Sequence, residues 1–229
     1  MRKRPQQQRA KMIVESILEG TQKCISEQGI LQLTTPKISE KSGVSVGSIY
    51  QYFENKDQIV SELLLRKSEN LGQALKQLVM LQQQTAIQDI IRLSIAFGFE
   101  SLKSDEGFFI EILKNWHAYS DSDAAQVLEQ HFLEIGMYLF SRFFPAWDFQ
   151  TLKNKSFVII NSTLFTMMRY VSSDNFLISE QQLKDELSKM ILAYLEIKKL
   201  KSGLIKMKQD KELLLVQKQL HLIFKTLNF

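Results

Sequence analysis

TTPKISEKSGVSVGSIYQYFENK, residues 34–56, is the stretch of sequence that decides the fold. Thr35, which is followed by proline, is predicted to cap a short helix, and Gly43 is predicted to end it. Ser45 is predicted to cap a second helix that runs to about Phe53. Two short helices joined by a glycine-containing turn are typical of a helix-turn-helix, in which the second helix enters the major groove of DNA.

The second predicted helix begins with residues that suit close contact with another surface. They are small, and the glycine among them lets the backbone approach a partner; the four are Ser45, Val46, Gly47 and Ser48. Tyr50 and Tyr52 can each offer a hydroxyl group to a phosphate. Lys56 places a positive charge at the start of the next predicted helix, where the helix dipole already favours an anion. The alternative interpretation is a surface helix pair with two partly buried tyrosines.

Charge is unevenly distributed along the 229 residues, whose formal net charge is +4. Residues 1–56 carry a net charge of +4, residues 57–197 carry −6, and residues 198–229 carry +6. A basic end on an acidic body indicates that this end meets a polyanion.

Several other functional classes are disfavoured by what the sequence lacks. Its single cysteine, Cys24, excludes an intrachain disulfide. No stretch of about 18 uncharged apolar residues occurs, and charges interrupt the segment behind the basic N-terminus, so we expect a cytosolic protein without a membrane span or signal peptide. There is no glycine-rich phosphate loop, no G-x-S-x-G and no pair of Glu-x-x-His motifs, so we expect no enzyme activity, cofactor or metal site.

Helical periodicity continues through most of the chain, and no strand pair with a hairpin turn occurs. We therefore predict an all-α fold. A small N-terminal domain of three helices and a larger helical body would share one long connecting helix. The predicted domains are residues 1–66, with the motif at about 33–53, residues 67–201, and a basic amphipathic extension at 202–229.

TTPKISEKSGVSVGSIYQYFENKDQIV, which begins at Thr34, resembles the helix-turn-helix of the tetracycline-repressor (TetR) family of bacterial transcription factors. The resemblance covers roughly residues 10–64 and rests on the pattern T-x-x-x-I-(A/S)-x-x-(A/S)-G-V-S-x-G-(S/T)-(I/L)-Y-x-(Y/H)-F-x-(N/S)-K. It implies a repressor that binds a palindromic operator as a homodimer, with half-sites roughly 34–36 Å apart. The alternatives are an activator with the same fold and a helical binding module that has lost operator recognition.

The resemblance also implies roles for individual residues. The implied phosphate contacts are Thr35, Lys37, Tyr50, Tyr52 and Lys56. The implied neighbours of base edges are Ser45, Val46, Ser48 and Gln51. Of these, Gln51 can pair bidentately with an adenine, and Val46 can touch a thymine methyl group. The basic stretch MRKRPQQQR, residues 1–9, resembles an extension that some members place on the DNA backbone or in the minor groove; a solvated tail is the alternative.

Regulators of this family usually enclose a cavity for a small effector in the helical body. Candidates for lining it here are aromatic, polarisable, or polar within an apolar run; they are Phe97, Trp116, His117, Tyr138, Met167 and Arg169. The expected effector is small and largely apolar. For the aromatic residues the alternative is plain core packing, for His117 a structural hydrogen bond, and for Arg169 an ion pair with Glu100 or Glu134.

The last two long helices form the dimer interface in this family. Here they are expected at about 150–172 and 180–198, and the interface candidates are Phe157, Ile160, Leu164, Leu187, Ile191 and Tyr194. Packing on the chain's own core is the alternative. In the extension, apolar residues recur at intervals of 3 and 4 from Leu213 to Leu227. We expect an amphipathic helix docked on the acidic body or the partner subunit, with a frayed tail or a weak membrane-surface contact as alternatives.

Overall fold

A computed structural model of the chain describes residues 3–104, 107–173 and 177–196. Within these ranges every regular element is helical, which confirms the predicted all-α fold. The α-helices of the described residues are α1 Lys3–Gln28, α2 Thr35–Ser42, α3 Val46–Ile49, α4 Lys56–Met80, α5 Ile87–Lys103, α6 Phe108–Lys114, α7 Asp123–Phe143, α8 Phe149–Val171 and α9 Glu180–Tyr194. Short 3-10 turns lie at Ile30–Gln32 and Trp116–Ala118. None of the described helices is long and apolar enough to cross a membrane.

Polar side chains that accept backbone N–H groups set the starts of several helices. The Ser45 hydroxyl accepts a hydrogen bond from a backbone N–H of α3, with a nitrogen–oxygen distance of 3.2 Å. The Asp148 carboxylate accepts a hydrogen bond from a backbone N–H of α8 at 2.7 Å. Ser179 and Gln182 form a reciprocal capping box at the start of α9. The start of α3 at Ser45 was predicted from the sequence, because a cap depends only on residues within one turn of it.

The described residues group into two compact units. One contains the residues up to Glu69 together with Lys103–Val127, and the other contains Asn70–Leu102 and the residues from Leu128 onward. The sequence analysis placed 103–127 in the second domain, but this segment groups with the N-terminal helices. The physical reason is that Phe108 and Ile112 of α6 are buried in the core of the first unit. The boundaries at residues 66 and 201 stay predictions, and the extension at 202–229 lies outside the described residues.

The core of the first unit fixes the helix-turn-helix on its neighbours. Ile17 of α1, Ile38 of α2 and Ile49 of α3 belong to one buried apolar cluster, together with Ile59 of α4. Full burial of an isoleucine side chain contributes about 1.5–3 kcal/mol. Because α3 is a single turn long, its position depends on Ile49 far more than on its own helical hydrogen bonds.

The core of the second unit joins α4, α5 and α7 through an apolar cluster that includes Leu78, Phe97 and Ile135. Helix α8 joins this unit at two close contacts. The Met167 side chain lies against Gly98 of α5, and Ser156 faces Gly136 of α7. Both contacts use a glycine, because a Cβ atom at either position would collide with the facing side chain.

Lys155 of α8 holds the C-terminal end of α9. Its ammonium group donates to the carbonyl oxygen of Tyr194 at 2.9 Å and lies 4.4 Å from the centroid of that tyrosine's ring. It also lies 5.1 Å from the ring centroid of Trp147, which stacks on Phe144 with centroids 4.2 Å apart. A cation is favoured both over an aromatic face and at a helix C-terminus.

Candidate nucleic-acid interface

Thr34, one residue before the predicted Thr35, is the N-cap of α2. Its side-chain oxygen accepts the N–H of Lys37 at 3.5 Å. Thr35 is the first helical residue, and its side chain is buried, at 9% exposure. The prediction was wrong by one residue because two threonines precede Pro36 and either can reach an N–H of the first turn. The exposed threonine at this edge of the motif is therefore Thr34.

Gly43 ends α2 in the left-handed region, with φ of 69°. Its N–H donates to the carbonyl oxygen of Ser39 at 3.0 Å. A Cβ atom at this position would meet no atom within 4 Å, so the backbone conformation alone requires glycine here. The turn brings the chain to Ser45, whose hydroxyl caps α3 and also shares a 2.9 Å hydrogen bond with the hydroxyl of Ser48. Both serine hydroxyls thus help to shape the start of α3.

The outer surface of α3 carries little side-chain bulk. Gly47 is exposed, its φ is not positive, and a Cβ atom there would meet nothing within 4 Å. Neither space nor backbone conformation within the chain therefore requires glycine at this position. Val46 and Ser48 beside it are half-buried. The arrangement leaves room for a partner to approach the α3 backbone closely.

The residues after α3 differ in their exposure. Helix α3 ends at Ile49 rather than at about Phe53, although the N–H of Phe53 still donates to Ile49 O at 3.0 Å. Tyr50 is 55% exposed, and Gln51 is also exposed. Tyr52 is half-buried and packs against the core of the first unit. More than half of Tyr50 is therefore available to a partner, whereas the ring of Tyr52 also packs on the core.

Two lysine side chains are anchored on neighbouring carbonyl oxygens just before α2. Lys37 Nζ donates to Gln32 O at 2.9 Å, and Lys56 Nζ donates to Leu33 O at 3.0 Å. An ammonium group has three N–H donors, so one such bond leaves the others available to an anion. These two contacts bring two positive charges to the segment that joins α1 to α2. They were not predicted from the sequence.

Lys41 of α2 has a partner within the protein. Its ammonium group pairs with Glu27 of α1 at 2.5 Å, and the hydrogen bond to Glu27 raises the pKa of Lys41. Cys24, one turn earlier on α1, is buried, and burial raises the pKa of its thiol. A protonated, buried thiol is a packing residue rather than a reactive group.

Residues 17–63 match the family model of the bacterial regulatory proteins, tetR family. This range runs from within α1 into α4 and contains the capped helices, the glycine turn and both anchored lysines. The N-terminal unit therefore carries the helix-turn-helix of the TetR family. The match lies on the N-terminal unit, where the resemblance was recognised in the sequence.

Curated TetR-type relatives match over part of their length. An uncharacterized HTH-type transcriptional regulator from Haemophilus influenzae is 32% identical over 54 residues, which cover 24% of this chain and 29% of that protein. The fatty acid metabolism regulator protein of Bacillus subtilis is 28% identical over 95 residues, which cover 41% of this chain and 47% of that protein. The matched stretches thus span less than half the length of these relatives.

The TetR fold continues through the helical body. The solved structure of the transcriptional regulator FadR from Bacillus subtilis in complex with stearoyl-CoA has a TM-score of 0.62 at 19% sequence identity. The likeness covers 79% of this chain and 98% of that chain. At this identity it establishes a shared fold.

Four of the candidate pocket residues lie in the second unit, and three of them are buried or half-buried there. Phe97 of α5 is buried, and Tyr138 of α7 is half-buried beside the same apolar cluster. Met167 of α8 is buried against Gly98 of α5. These three side chains therefore belong to the packed interior of the body.

His117 and Arg169 are not part of that interior. His117 is exposed and belongs to the first unit, and Arg169 is exposed on α8. Glu134, one of the two expected partners of Arg169, pairs with Lys76 at 2.7 Å, and this hydrogen bond lowers the pKa of Glu134. The side chain of Trp116 lies outside the described part of the structure. The sequence pattern identified apolar runs but not the side of each helix that faces inward.

The candidate dimer residues also divide by exposure. Phe157 of α8 is 60% exposed, and Tyr194 of α9 is exposed as well. Leu187 and Ile191 of α9 are buried within the single chain, so they stabilise the protomer rather than a partner surface. The remaining two candidates, Ile160 and Leu164, are half-buried.

Four further apolar side chains on the same two helices are exposed, and sequence reasoning missed them. They are Phe149, Val158 and Phe165 of α8 and Met190 of α9. Helix α8 is apolar on more than one side, so its 3.6-residue period does not by itself separate the inner face from the outer one. Leaving aside Phe149 at the first position of α8, we call the other five exposed side chains, which are candidates for contact with a second copy, the dimer face: Phe157, Val158, Phe165, Met190 and Tyr194.

Proposed function

We propose that the protein is a transcriptional repressor that binds a palindromic operator as a homodimer and releases it when a small, largely apolar effector binds. The observation that carries the DNA-binding part is the bare outer surface of α3 at Gly47. A glycine inside a helix costs about 0.5–1 kcal/mol relative to alanine. Neither the space nor the backbone conformation within the chain requires glycine at this position. We therefore attribute Gly47 to the close approach of a DNA duplex to the α3 backbone.

The charges and polar groups around α3 fit the same partner. Lys37 and Lys56 present ammonium groups beside the start of α2, and Tyr50 is exposed after α3. Contacts of this kind position a protein on phosphates without reading sequence. Gln51, exposed one residue later, has the amide group that pairs with an adenine edge.

A gel-shift titration on matched operator variants tests these roles, once the operator has been selected from a random pool of DNA. Gln51→Ala should cost about 1–3 kcal/mol on the preferred sequence and relax preference at one base pair. Tyr52→Phe keeps the ring that packs on the core and removes only the hydroxyl. It should therefore weaken every operator by a similar factor. Equal weakening of all sequences by Gln51→Ala would contradict its proposed base-reading role.

The homodimer is supported by the dimer face. Its large apolar side chains are exposed on α8 and α9, and exposed apolar surface favours burial against a partner. A second copy is the occupant that a twofold-symmetric contact requires, since each copy then covers the same surface of the other. Two helix-turn-helix motifs related by such an axis would read the two halves of a palindrome.

The effector proposal is supported by relatives that act in lipid metabolism. The Bacillus subtilis FadR structure contains stearoyl-CoA, and a matched relative is a fatty acid metabolism regulator. We infer a ligand with a long apolar part, bound within the body in the bacterial cytoplasm. It can release DNA only if it binds the DNA-incompetent state more tightly. Adding stearoyl-CoA to the operator complex tests this, and binding without any change in operator affinity would exclude stearoyl-CoA as the inducer.

A further inference from the structure

Asn161 is a polar residue in the middle of an uncharged stretch of α8. This stretch, SFVIINSTLFTMM, covers residues 156–168. Phe157 and Phe165 of the dimer face lie one turn before and one turn after Asn161. Because residues four apart lie on the same side of a helix, the three side chains form one stripe. The amide group of Asn161 is thus at the centre of the apolar surface that α8 offers to a partner.

The single chain satisfies only part of this amide group. Asn161 is half-buried, and its Nδ2 donates to the carbonyl oxygen of Phe157 at 2.8 Å. An asparagine side chain has two N–H donors and an oxygen that accepts. Among the described residues, no partner is present for the second N–H or for Oδ1. Water can satisfy these groups in a free protomer, but burial of the dimer face removes that water.

A partner that covers the stripe must therefore supply a donor and an acceptor at this point, because an amide buried without them is costly. A wholly apolar surface supplies neither. The amide of a second Asn161 supplies both, since its N–H can donate to the first oxygen while its own oxygen accepts the first N–H. This self-complementarity favours a second copy of the chain as the partner.

The position of Asn161 within the dimer face fits such a pair. In a twofold contact the two partners use the same surface, and only residues beside the axis meet their own counterparts. The α8 part of the dimer face extends from Phe157 to Phe165, and Asn161 is its midpoint. A twofold axis through the centre of this surface would bring the two Asn161 amides together.

We propose that the Asn161 side chains of two copies pair across the twofold axis and fix the register of the dimer. This inference rests on the proposed homodimer and names the residue that determines its geometry. A wholly apolar stripe can shift along its partner with little loss, whereas a shift here would leave both amides unpaired in an apolar contact. The pair also disfavours association with a different protein whose helix face is wholly apolar.

Opposite charges at position 161 test the pairing in the full-length protein. Asn161→Asp and Asn161→Lys should each dimerise at least about tenfold more weakly than wild type, because like charges would face each other across the axis. An equimolar mixture of the two variants should form the heterodimer in preference to either homodimer. Analytical ultracentrifugation measures the affinities, and native mass spectrometry with a tag on one variant identifies the heterodimer.

Asn154 provides the matched control. It is an exposed asparagine two turns before Asn161 on the same side of α8, and its Oδ1 accepts a hydrogen bond from Gln150 at 2.8 Å. It lies away from the midpoint of the dimer face, so it should not meet its own counterpart. A mixture of Asn154→Asp and Asn154→Lys should therefore show no preference for the heterodimer.

Asn161→Cys gives a second measurement that does not depend on charge. Two cysteines can form a disulfide only when their Cα atoms lie within about 7 Å of each other. Oxidised glutathione should therefore link two Asn161→Cys protomers, whereas Asn154→Cys should stay unlinked. The native Cys24 is buried, so wild-type protein serves as the blank.

Failure of this inference can be distinguished from failure of the proposed function. A wild-type protein that sediments as a monomer would contradict the homodimer itself. If the wild type is a dimer, the Asn161 pair is overturned when the charged variants show no preference for the heterodimer, or when Asn161→Cys links no better than Asn154→Cys. The homodimer would then stand with its axis elsewhere on the dimer face.

Discussion

At Gly47, a larger residue is expected to stabilise the fold and to weaken DNA binding. The folded chain leaves this position open, so Gly47→Ala should raise the free energy of unfolding by about 0.5–1 kcal/mol. The added methyl group would meet the partner instead, and operator affinity should fall at least tenfold. Thermal unfolding and gel-shift titration of the same sample measure both effects.

Gly43→Ala is the control for this residue. Its φ of 69° strains any other residue, so this variant should melt at a lower temperature than wild type. A Gly47→Ala variant that binds the operator as tightly as wild type would show that DNA does not approach α3 at this point.

Among the elements, α1 carries the basic N-terminal stretch as part of a helix that begins at Lys3. A helix with its side chains is about 10–12 Å across, whereas the minor groove of B-DNA is about 6 Å wide. A helical segment is thus too wide for the minor groove. Of the two DNA sites expected for this stretch, the phosphate backbone is therefore the one that it fits. Neutralising the exposed Arg9 and Lys11 with glutamine should therefore weaken binding to all sequences alike.

Salt dependence measures this effect directly. Each lost phosphate contact should reduce the slope of log K against log[salt] by about 0.9, so the double variant should lose up to about 2. Lys153→Gln, an exposed lysine on α8, serves as the control for net charge. Equal slopes for the double variant and the control would mean that α1 does not touch DNA here.

The cap of α8 predicts a pH dependence of stability. The backbone N–H of Thr151 donates to Asp148 and lowers the pKa of its carboxyl group below the usual 3.8. A lowered folded-state pKa means that the carboxylate stabilises the fold above the unfolded pKa, and that this contribution is lost as pH falls through the folded pKa. Asp148→Ala should therefore lower the melting temperature at pH 7 and have less effect near pH 3.

Ser179→Ala provides the comparison, because Ser179 caps α9 with an uncharged hydroxyl. Its loss should lower the melting temperature by a similar amount at both pH values. If the two variants show the same pH dependence, the ionisation of Asp148 is not the cause.

At the scale of the whole molecule, assembly depends on the dimer face. Phe157→Glu puts a charge where a partner would exclude water, which is costly without a counter-charge. Because Phe157 is exposed in the single chain, the protomer should fold normally. Analytical ultracentrifugation should then find a monomer. Leu31→Glu, at an exposed apolar residue of the first unit, should remain a dimer, and a dimeric Phe157→Glu variant would place the interface elsewhere.

Features that depend on neighbouring residues could be predicted from the sequence, whereas features that depend on residues distant along the chain could not. Gly43 and Ser45 were assigned correctly because helix ends depend on neighbours within one turn. Leu187 and Ile191 were given to the dimer interface because they are apolar at helical spacing. Their burial depends on side chains distant in sequence, which periodicity does not reveal. The hydrogen bond from Lys56 to Leu33 O could not be predicted for the same reason, because its partners are far apart in sequence. The DNA contacts assigned by resemblance stay predictions.

Trp147 gives the molecule an optical reporter that needs no added label. Its indole lies near the ammonium group of Lys155, which also holds the last turn of α9. A displacement of α9 against α8 would move that cation relative to the ring and change the wavelength and yield of its fluorescence. The chain has two tryptophans, so replacing Trp116 with phenylalanine leaves Trp147 as the sole indole emitter. Stopped-flow emission could then time the response of this end of the body to an added ligand.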